Sequence, residues 1–235
     1  MAAETQVLID NEKKYIAKFF SDASESDVKK IDISTLTWAK HTITLSGAAS
    51  PNFKIGEVLT VGAEKYLVTG FTAGASTVEV VGWDNTNKKA TAIDASSSSS
   101  DAVSGGVSGN NTRTYSSIAE QDYDLLVTKI MWICNGLQVG IEWDGSTAEK
   151  YIAELAGNGS WSMPGNEWPG IGINATGDSG AVLGDIQFST ADHSGTNSYT
   201  IIIECKKQAP GYDIPAYEQN NILGYPVDYV LGNFT

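Results

Sequence analysis

Short runs in which apolar and polar residues alternate recur along the chain, separated by turn residues. Alternation with a period of two predicts β-strands that have one buried face. Near the beginning, residues 5–9, 13–20 and 28–33 form three such runs. Asp10-Asn11-Glu12 lies between the first two runs and predicts a hairpin turn. Because no helical periodicity is sustained, we expect an all-β protein.

The clearest alternation lies in two adjacent runs, 129–134 and 137–143. The positions expected to be buried are Ile130, Trp132, Cys134, Leu137, Val139, Ile141 and Trp143. Asn135-Gly136 separates the runs, and Asn-Gly is the strongest short hairpin signal, so the pattern predicts an antiparallel hairpin with one face in solvent. Further strands are expected at 184–189 and 198–206. Ile202 makes the second face of the last strand partly apolar, which indicates a central strand covered on both sides.

Composition divides the chain into segments of different character. Residues 38–94 have their own short strands and frequent glycines, which predicts a small inserted β-barrel-like module. Residues 95–112 are rich in serine and glycine, with little to bury, which predicts a flexible linker. The remaining strands, in residues 1–37 and 113–207, are expected to form one discontinuous antiparallel β-sandwich of jelly-roll-like type.

The final segment, 208–235, contains three prolines and several aromatic residues, with no lysine or arginine. Proline favours an extended backbone, and tyrosine gives a large contact area at a low entropic cost. We therefore expect an extended C-terminal arm that docks on a neighbouring molecule; the alternatives are an arm that wraps its own domain or a disordered one. The residues expected to make the contact are Tyr212, Tyr217, Tyr225, Tyr229 and Phe234.

Charge argues against nucleic acids as partners, and hydropathy argues against membranes. Its 15 basic and 28 acidic side chains give a formal net charge of -13. An acidic surface repels phosphate backbones, and Arg113 is the single arginine, so we expect no nucleic-acid binding. No apolar run has the length of a membrane helix, and the first residues lack a signal-peptide pattern, so we expect neither membrane association nor secretion.

Residues that could carry out catalysis or hold a metal are few. The two histidines and two cysteines of the chain are too few for most such sites, so we expect no enzyme, no cofactor and no metal. Cys134 and Cys205 fall on apolar strand faces, where we expect free thiols, although a disulfide is the alternative. Residues 177–180 resemble the nucleophile segment of trypsin-like proteases, without a matching histidine. The loops at Asp84 and Asp144 are interpreted as Asx turns rather than calcium loops.

Six tryptophans leave a sugar-stacking surface as another possibility, because a β-sandwich with exposed aromatic faces is typical of carbohydrate-binding modules. Trp161 and Trp168 lie in the glycine-rich stretch 157–172, outside the alternating runs. They are therefore the candidates for glycan contact, and a carbohydrate-binding module is one alternative function.

A spaced pattern covers most of the predicted sandwich: residues 7–18 with 28–36, 128–132 with 137–144, and 184–189 with 199–206. This pattern resembles a type of virion protein encoded by tailed bacteriophages, notably those of marine bacteria. The resemblance implies a non-enzymatic structural protein that is assembled into the virion in the host cytoplasm. Its partners would be further copies of itself and major capsid, neck or tail proteins. We expect a decoration or cement protein on the capsid exterior that attaches to neighbouring subunits through sheet edges and the C-terminal arm. A neck, head–tail connector or tail component is the alternative.

Overall fold

The computed structural model describes residues 3–46, 53–72, 74–93, 103–104, 114–120, 124–145, 150–163 and 184–208. These residues form antiparallel β-structure and one 3₁₀ turn at Ile33–Thr35, so the predicted all-β class is confirmed. In chain order the strands are β1 (Glu4–Asp10), β2 (Lys14–Ser21), β3 (Val28–Ile31), β4 (His41–Leu45), β5 (Val58–Val61), β6 (Glu64–Phe71), β7 (Thr77–Asp84), β8 (Lys89–Thr91), β9 (Val103–Ser104), β10 (Tyr115–Glu120), β11 (Asp124–Trp143), β12 (Lys150–Ser162), β13 (Ile186–Ala191) and β14 (Ser198–Gln208). The described part of the chain has no helix long and apolar enough to cross a membrane.

The described residues separate into two compact units. The first contains residues 3–33 and 124–208, and the second contains residues 34–120. The first unit holds a sheet of order β1-β2-β14-β11-β13-β3, with β12 paired to β11. The second holds a sheet of order β10-β4-β7-β6-β5-β9, with β8 paired to β7.

A single long strand, β11, runs through both halves of the sheet in the first unit. Its first half pairs with β14 and its second half with β13, while β12 pairs with both halves. Phe188 on β13 contacts Phe19 on β2, with ring centroids 5.3 Å apart, and Tyr199 on β14, at 5.9 Å. Both contacts are edge-to-face, a favourable aromatic geometry. The sheet therefore folds back on itself, and a sandwich-like core lies between its halves.

The predicted hairpin at Asn135-Gly136 is wrong, because both runs belong to β11. Residues 134–137 lie where the register with β12 shifts, and Gly157 alone lies opposite them on β12. Gly136 has a φ of 74° and Gly157 a φ of 60°, which glycine adopts without steric penalty. The Asn-Gly pair here forms a bulge, which bends a continuous strand instead of reversing it.

The bend preserves the buried face that the alternation predicted. Ile130, Cys134, Leu137, Val139, Ile141 and Trp143 are buried, and Trp132 is partly buried. Glu142 was expected to face solvent, but it is only 5% exposed, and its β13 partner Gln187 is buried as well. β14 lies between β2 and β11, so its central position is as predicted, but Ile202 on its second face is only partly buried among the described residues.

A buried ion pair lies between the halves of the first unit. Lys30 Nζ is 2.6 Å from Glu25 Oε1, and both side chains are almost fully buried. The Tyr199 hydroxyl donates to Glu25 Oε2 at 2.7 Å. Lys30 Nζ also lies 5.9 Å from the ring centroids of Phe188 and Tyr199, within cation–π range. These contacts offset part of the free-energy cost of removing the two charges from water.

The second unit is a nearly closed, barrel-like sheet, as the glycine-punctuated runs predicted. Val103 on β9 and Tyr115 on β10 belong to the strands at the two ends of the sheet order. They share one core with residues of the intervening strands, among them Ile43 and Leu59. Of the predicted linker, the structure describes residues 103–104, which form β9. Val103 is buried at an apolar position in this strand.

Candidate assembly surface

β1 forms one edge of the sheet in the first unit. Among the described residues, β2 is its strand partner, and no described strand pairs with its outer edge. Val7, Leu8 and Ile9 are 53%, 47% and 40% exposed. An open strand edge with apolar side chains can accept a further strand from another molecule.

A bulge lies within the exposed apolar segment of β1. The register of β1 on β2 moves from Val7 opposite Ala17 to Ile9 opposite Ile16, so Leu8 is an additional residue. A bulge twists the strand locally and changes the direction of its side chains. Both faces of β1 are exposed from Glu4 to Ile9, so all three apolar side chains are open to solvent.

The side of the sheet away from Phe188 carries two rows of side chains across β1, β2, β14, β11 and β12, which we call the outer face. One row is Gln6, Lys18, Ile202, Met131 and Ser160. The other is Glu4, Phe20, Thr200, Ile133 and Asn158. The rows lie two residues apart on every strand, so both point to the same side.

A groove of about 390 Å³ lies on the outer face above β11. Met131, Ile133 and Ile202 provide its apolar lining, and Ile133 is 62% exposed. A second groove, of about 270 Å³, lies over β1 and β2 and is lined by Glu4, Gln6, Lys18 and Phe20. The outer face thus has an apolar centre with polar and charged side chains around it, which is typical of protein interfaces.

β12 forms one side of the first groove. Asn158, Gly159 and Ser160 line it on this side. A Cβ atom at Gly159 would lie 2.5 Å from Cζ2 of Trp132, so the position requires glycine. Trp132 is fixed by its Nε1, which donates to the Ala156 carbonyl at 3.1 Å.

The residues predicted to bind partners are only partly described. Tyr212, Tyr217, Tyr225, Tyr229, Phe234 and Trp168 lie outside the described residues. Trp161 lies in β12 opposite Ile130 and is partly buried. The expectation that Trp161 falls outside the strands is therefore wrong, because glycines at 157 and 159 are accommodated within β12. Attachment through sheet edges was expected, but neither β1 as the edge strand nor the outer face was predicted.

The two cysteines are free and buried, so the expectation of free thiols is confirmed. Burial raises the pKa of the Cys134 thiol to about 11 and raises that of Cys205 as well. Both thiols are therefore kept protonated and unreactive in the folded protein.

The remaining chemistry-bearing residues serve local structure. Thr86 and Asn87 donate backbone N–H groups to Oδ1 of Asp84 at 2.9 and 3.0 Å, which confirms an Asx turn. The hydrogen bonds from Asn87 lower the pKa of the Asp84 carboxyl. The ring nitrogens of His41 and His193 lie 3.2 and 3.0 Å from backbone carbonyls. The part of the chain that the structure describes contains no group of three acidic, histidine or cysteine side chains suited to a metal.

Comparisons with protein-family models, with curated proteins and with solved structures found no match. The functional interpretation therefore rests on the surface described above and on the spaced sequence pattern.

Proposed function

We propose that this chain is a non-catalytic structural protein of a tailed-phage virion. It attaches to neighbouring subunits on the capsid exterior as a decoration or cement protein; a neck, head–tail connector or tail position is the alternative. The observation that supports this most is the open edge of β1, with its exposed apolar segment Val7-Leu8-Ile9. The spaced sequence pattern is the reason to choose a virion over other assemblies.

Attachment at β1 would use strand addition. A strand from a neighbour pairs with the open edge through backbone hydrogen bonds, and side chains at alternate positions give specificity. The adjoining outer face adds apolar contact area around Ile133 and Met131. Many copies on a symmetric shell make individually weak contacts effectively permanent.

The C-terminal arm is the second proposed attachment. The last described strand, β14, ends at Gln208, the first residue of the proposed arm. Its charged residues are Asp213, Glu218 and Asp228, with no cation to balance them. The surface that receives the arm is therefore expected to be apolar with lysine or arginine at its rim.

Purified particles of the phage that encodes this sequence provide the direct test. Quantitative mass spectrometry should find the chain in hundreds of copies per particle if it decorates the capsid. A ring at the neck or tail would instead give a small symmetric number, about six or twelve. Absence of the chain from purified particles would refute the virion proposal.

Single charged substitutions test the attachment surface. Leu8→Lys and Ile133→Lys place a charge on the proposed contact, and we expect each to reduce incorporation into particles at least tenfold, about 1.4 kcal/mol of binding. Ile55→Lys is the matched control, because Ile55 is 55% exposed and lies in the second unit. Equal incorporation of all three variants would exclude the β1 edge and the outer face.

A truncation of residues 209–235, which spares β14, tests the arm in the same assay.

A further inference from the structure

A lysine near the end of β14 is enclosed in the first unit. The Lys207 side chain is fully buried, and its Nζ pairs with Oδ1 of Asp10 at the end of β1. The two residues are 197 positions apart in the sequence, and β2 lies between their strands in the sheet. The Lys207 backbone N–H donates to the Lys13 carbonyl at 2.9 Å, which fixes the end of β14 against the turn after β1.

Buried residues flank this pair on the neighbouring strands, while the Asp10 side chain itself is 18% exposed. Leu125 lies opposite Lys207 on β11, and Tyr15 lies opposite Asp10 on β2; both are buried. Burial lowers the pKa of Lys207 and so favours its neutral amine. A charge on the enclosed Lys207 side chain is costly, and an amide bond to Asp10 would remove both charges of the pair.

We propose that Lys207 and Asp10 condense to an intramolecular isopeptide bond. Lys207 Nζ attacks the Asp10 Cγ and forms the amide C–N bond, while one C–O bond of the Asp10 carboxyl group breaks. The departing oxygen takes both of its protons from the Lys207 ammonium group and leaves as one water, so no oxidant or other reactant is needed.

The other ion pairs described in the first unit lack this combination of features. Lys29 pairs with Asp185 and Asp144, but its side chain is 45% exposed. Lys14 Nζ lies 2.6 Å from Glu204 Oε1, but their side chains are 43% and 28% exposed, so water stabilises both charges. Glu25 and Lys30 are buried, but the Tyr199 hydroxyl and two aromatic rings stabilise their ionised forms. These last two pairs are therefore expected to stay unlinked and serve as internal controls.

The bond would tie the first described strand of the unit to the last. It would hold β1 in the sheet while its outer edge remains open, a useful property for a strand that bears load between molecules. The inference does not depend on the virion proposal, because the bond forms within one chain.

Intact mass spectrometry of the purified full chain in denaturing solvent tests the proposal. We expect a mass lower by one water than the sequence requires, and a proteolytic fragment in which the peptides containing Asp10 and Lys207 are joined. Lys207→Arg keeps the positive charge but cannot form the amide, and Asp10→Ala removes the acyl group; both should have the full sequence mass.

A wild-type chain at the full sequence mass would overturn the proposal and leave an ordinary ion pair. Loss of water that persists in Lys207→Arg would overturn it as well, because the dehydration would then lie elsewhere. The wild-type measurement decides the question even where a variant fails to fold. Peptides containing Lys14, Glu204, Glu25 and Lys30 should be found without cross-links in the same digest.

Discussion

Gly136 is the position at which the bend of β11 can be tested most sharply. Its φ is 74°, and a Cβ atom there would lie 2.7 Å from Oδ1 of Asn197. The Asn197 amide donates to the Gly136 carbonyl at 2.6 Å and to the Asp192 carbonyl at 3.2 Å. Gly136→Ala therefore strains the backbone and also displaces a side chain that connects the bend to the turn before β14.

The two effects can be assigned separate magnitudes. An L-residue in the left-handed region costs about 1–2 kcal/mol, and loss of the Asn197 hydrogen bonds adds about 1 kcal/mol. Gly136→Ala should therefore lower the free energy of unfolding by about 2–3 kcal/mol. Gly157→Ala is the matched control on β12, because its φ is 60° but nothing lies within 4 Å of the added Cβ. That control should lose about 1–2 kcal/mol.

Urea unfolding of the two variants and the wild type measures these losses. Hydrogen–deuterium exchange of peptides from β11, β13 and β14 assigns the affected transition to the first unit. Equal losses in both variants would refute the role of Asn197. No loss in either would refute the left-handed bulge, and with it the bend that forms the sandwich.

Three further changes test the core of the first unit. Tyr199→Phe removes a hydrogen bond to the buried Glu25 carboxylate and should lower the free energy of unfolding by about 1.5–3 kcal/mol in urea titrations. Phe188→Ala leaves a cavity between the halves of the first unit and should lower the free energy of unfolding of that unit by about 3–5 kcal/mol. The unfolding transition of the second unit should be unchanged. The pKa of Cys134 is raised by burial from 9.0 to about 11, so the folded state retains the thiol proton to higher pH than the unfolded state. This contribution to stability is complete below pH 9.0 and is lost as the pH rises towards about 11; Cys134→Ala should show a shallower decline over that range.

The alternation of residues was sufficient to predict most strands and the buried face of the first unit, because side-chain burial follows a period of two in any sheet. It could not distinguish a hairpin from a bulge at Asn135-Gly136, because both need a left-handed residue there. The difference depends on β13 and β14, which together line one edge of β11 from more than forty residues further along the chain. The strand pairing that decides between a hairpin and a bulge is therefore set by residues distant in the sequence.

The candidate surface was harder to predict for a related reason. Whether a strand lies at an edge depends on which strands pair with it, and the composition of β1 is ordinary for a strand. The one available signal was the unbroken apolar triplet Val7-Leu8-Ile9, which departs from alternation where the bulge occurs. The ion pair of Lys207 with Asp10 carried no signal, because 197 positions separate the two residues.

The continuity of β11 and β12 also determines how the first unit opens. In a sandwich of two separate sheets, one layer can detach while the hydrogen-bond ladder of the other stays intact. Here the same two strands supply the ladder of both layers, so loss of either layer removes pairing partners from the other. The unit should therefore open cooperatively, with the slowest amides of both layers exchanging at a common rate.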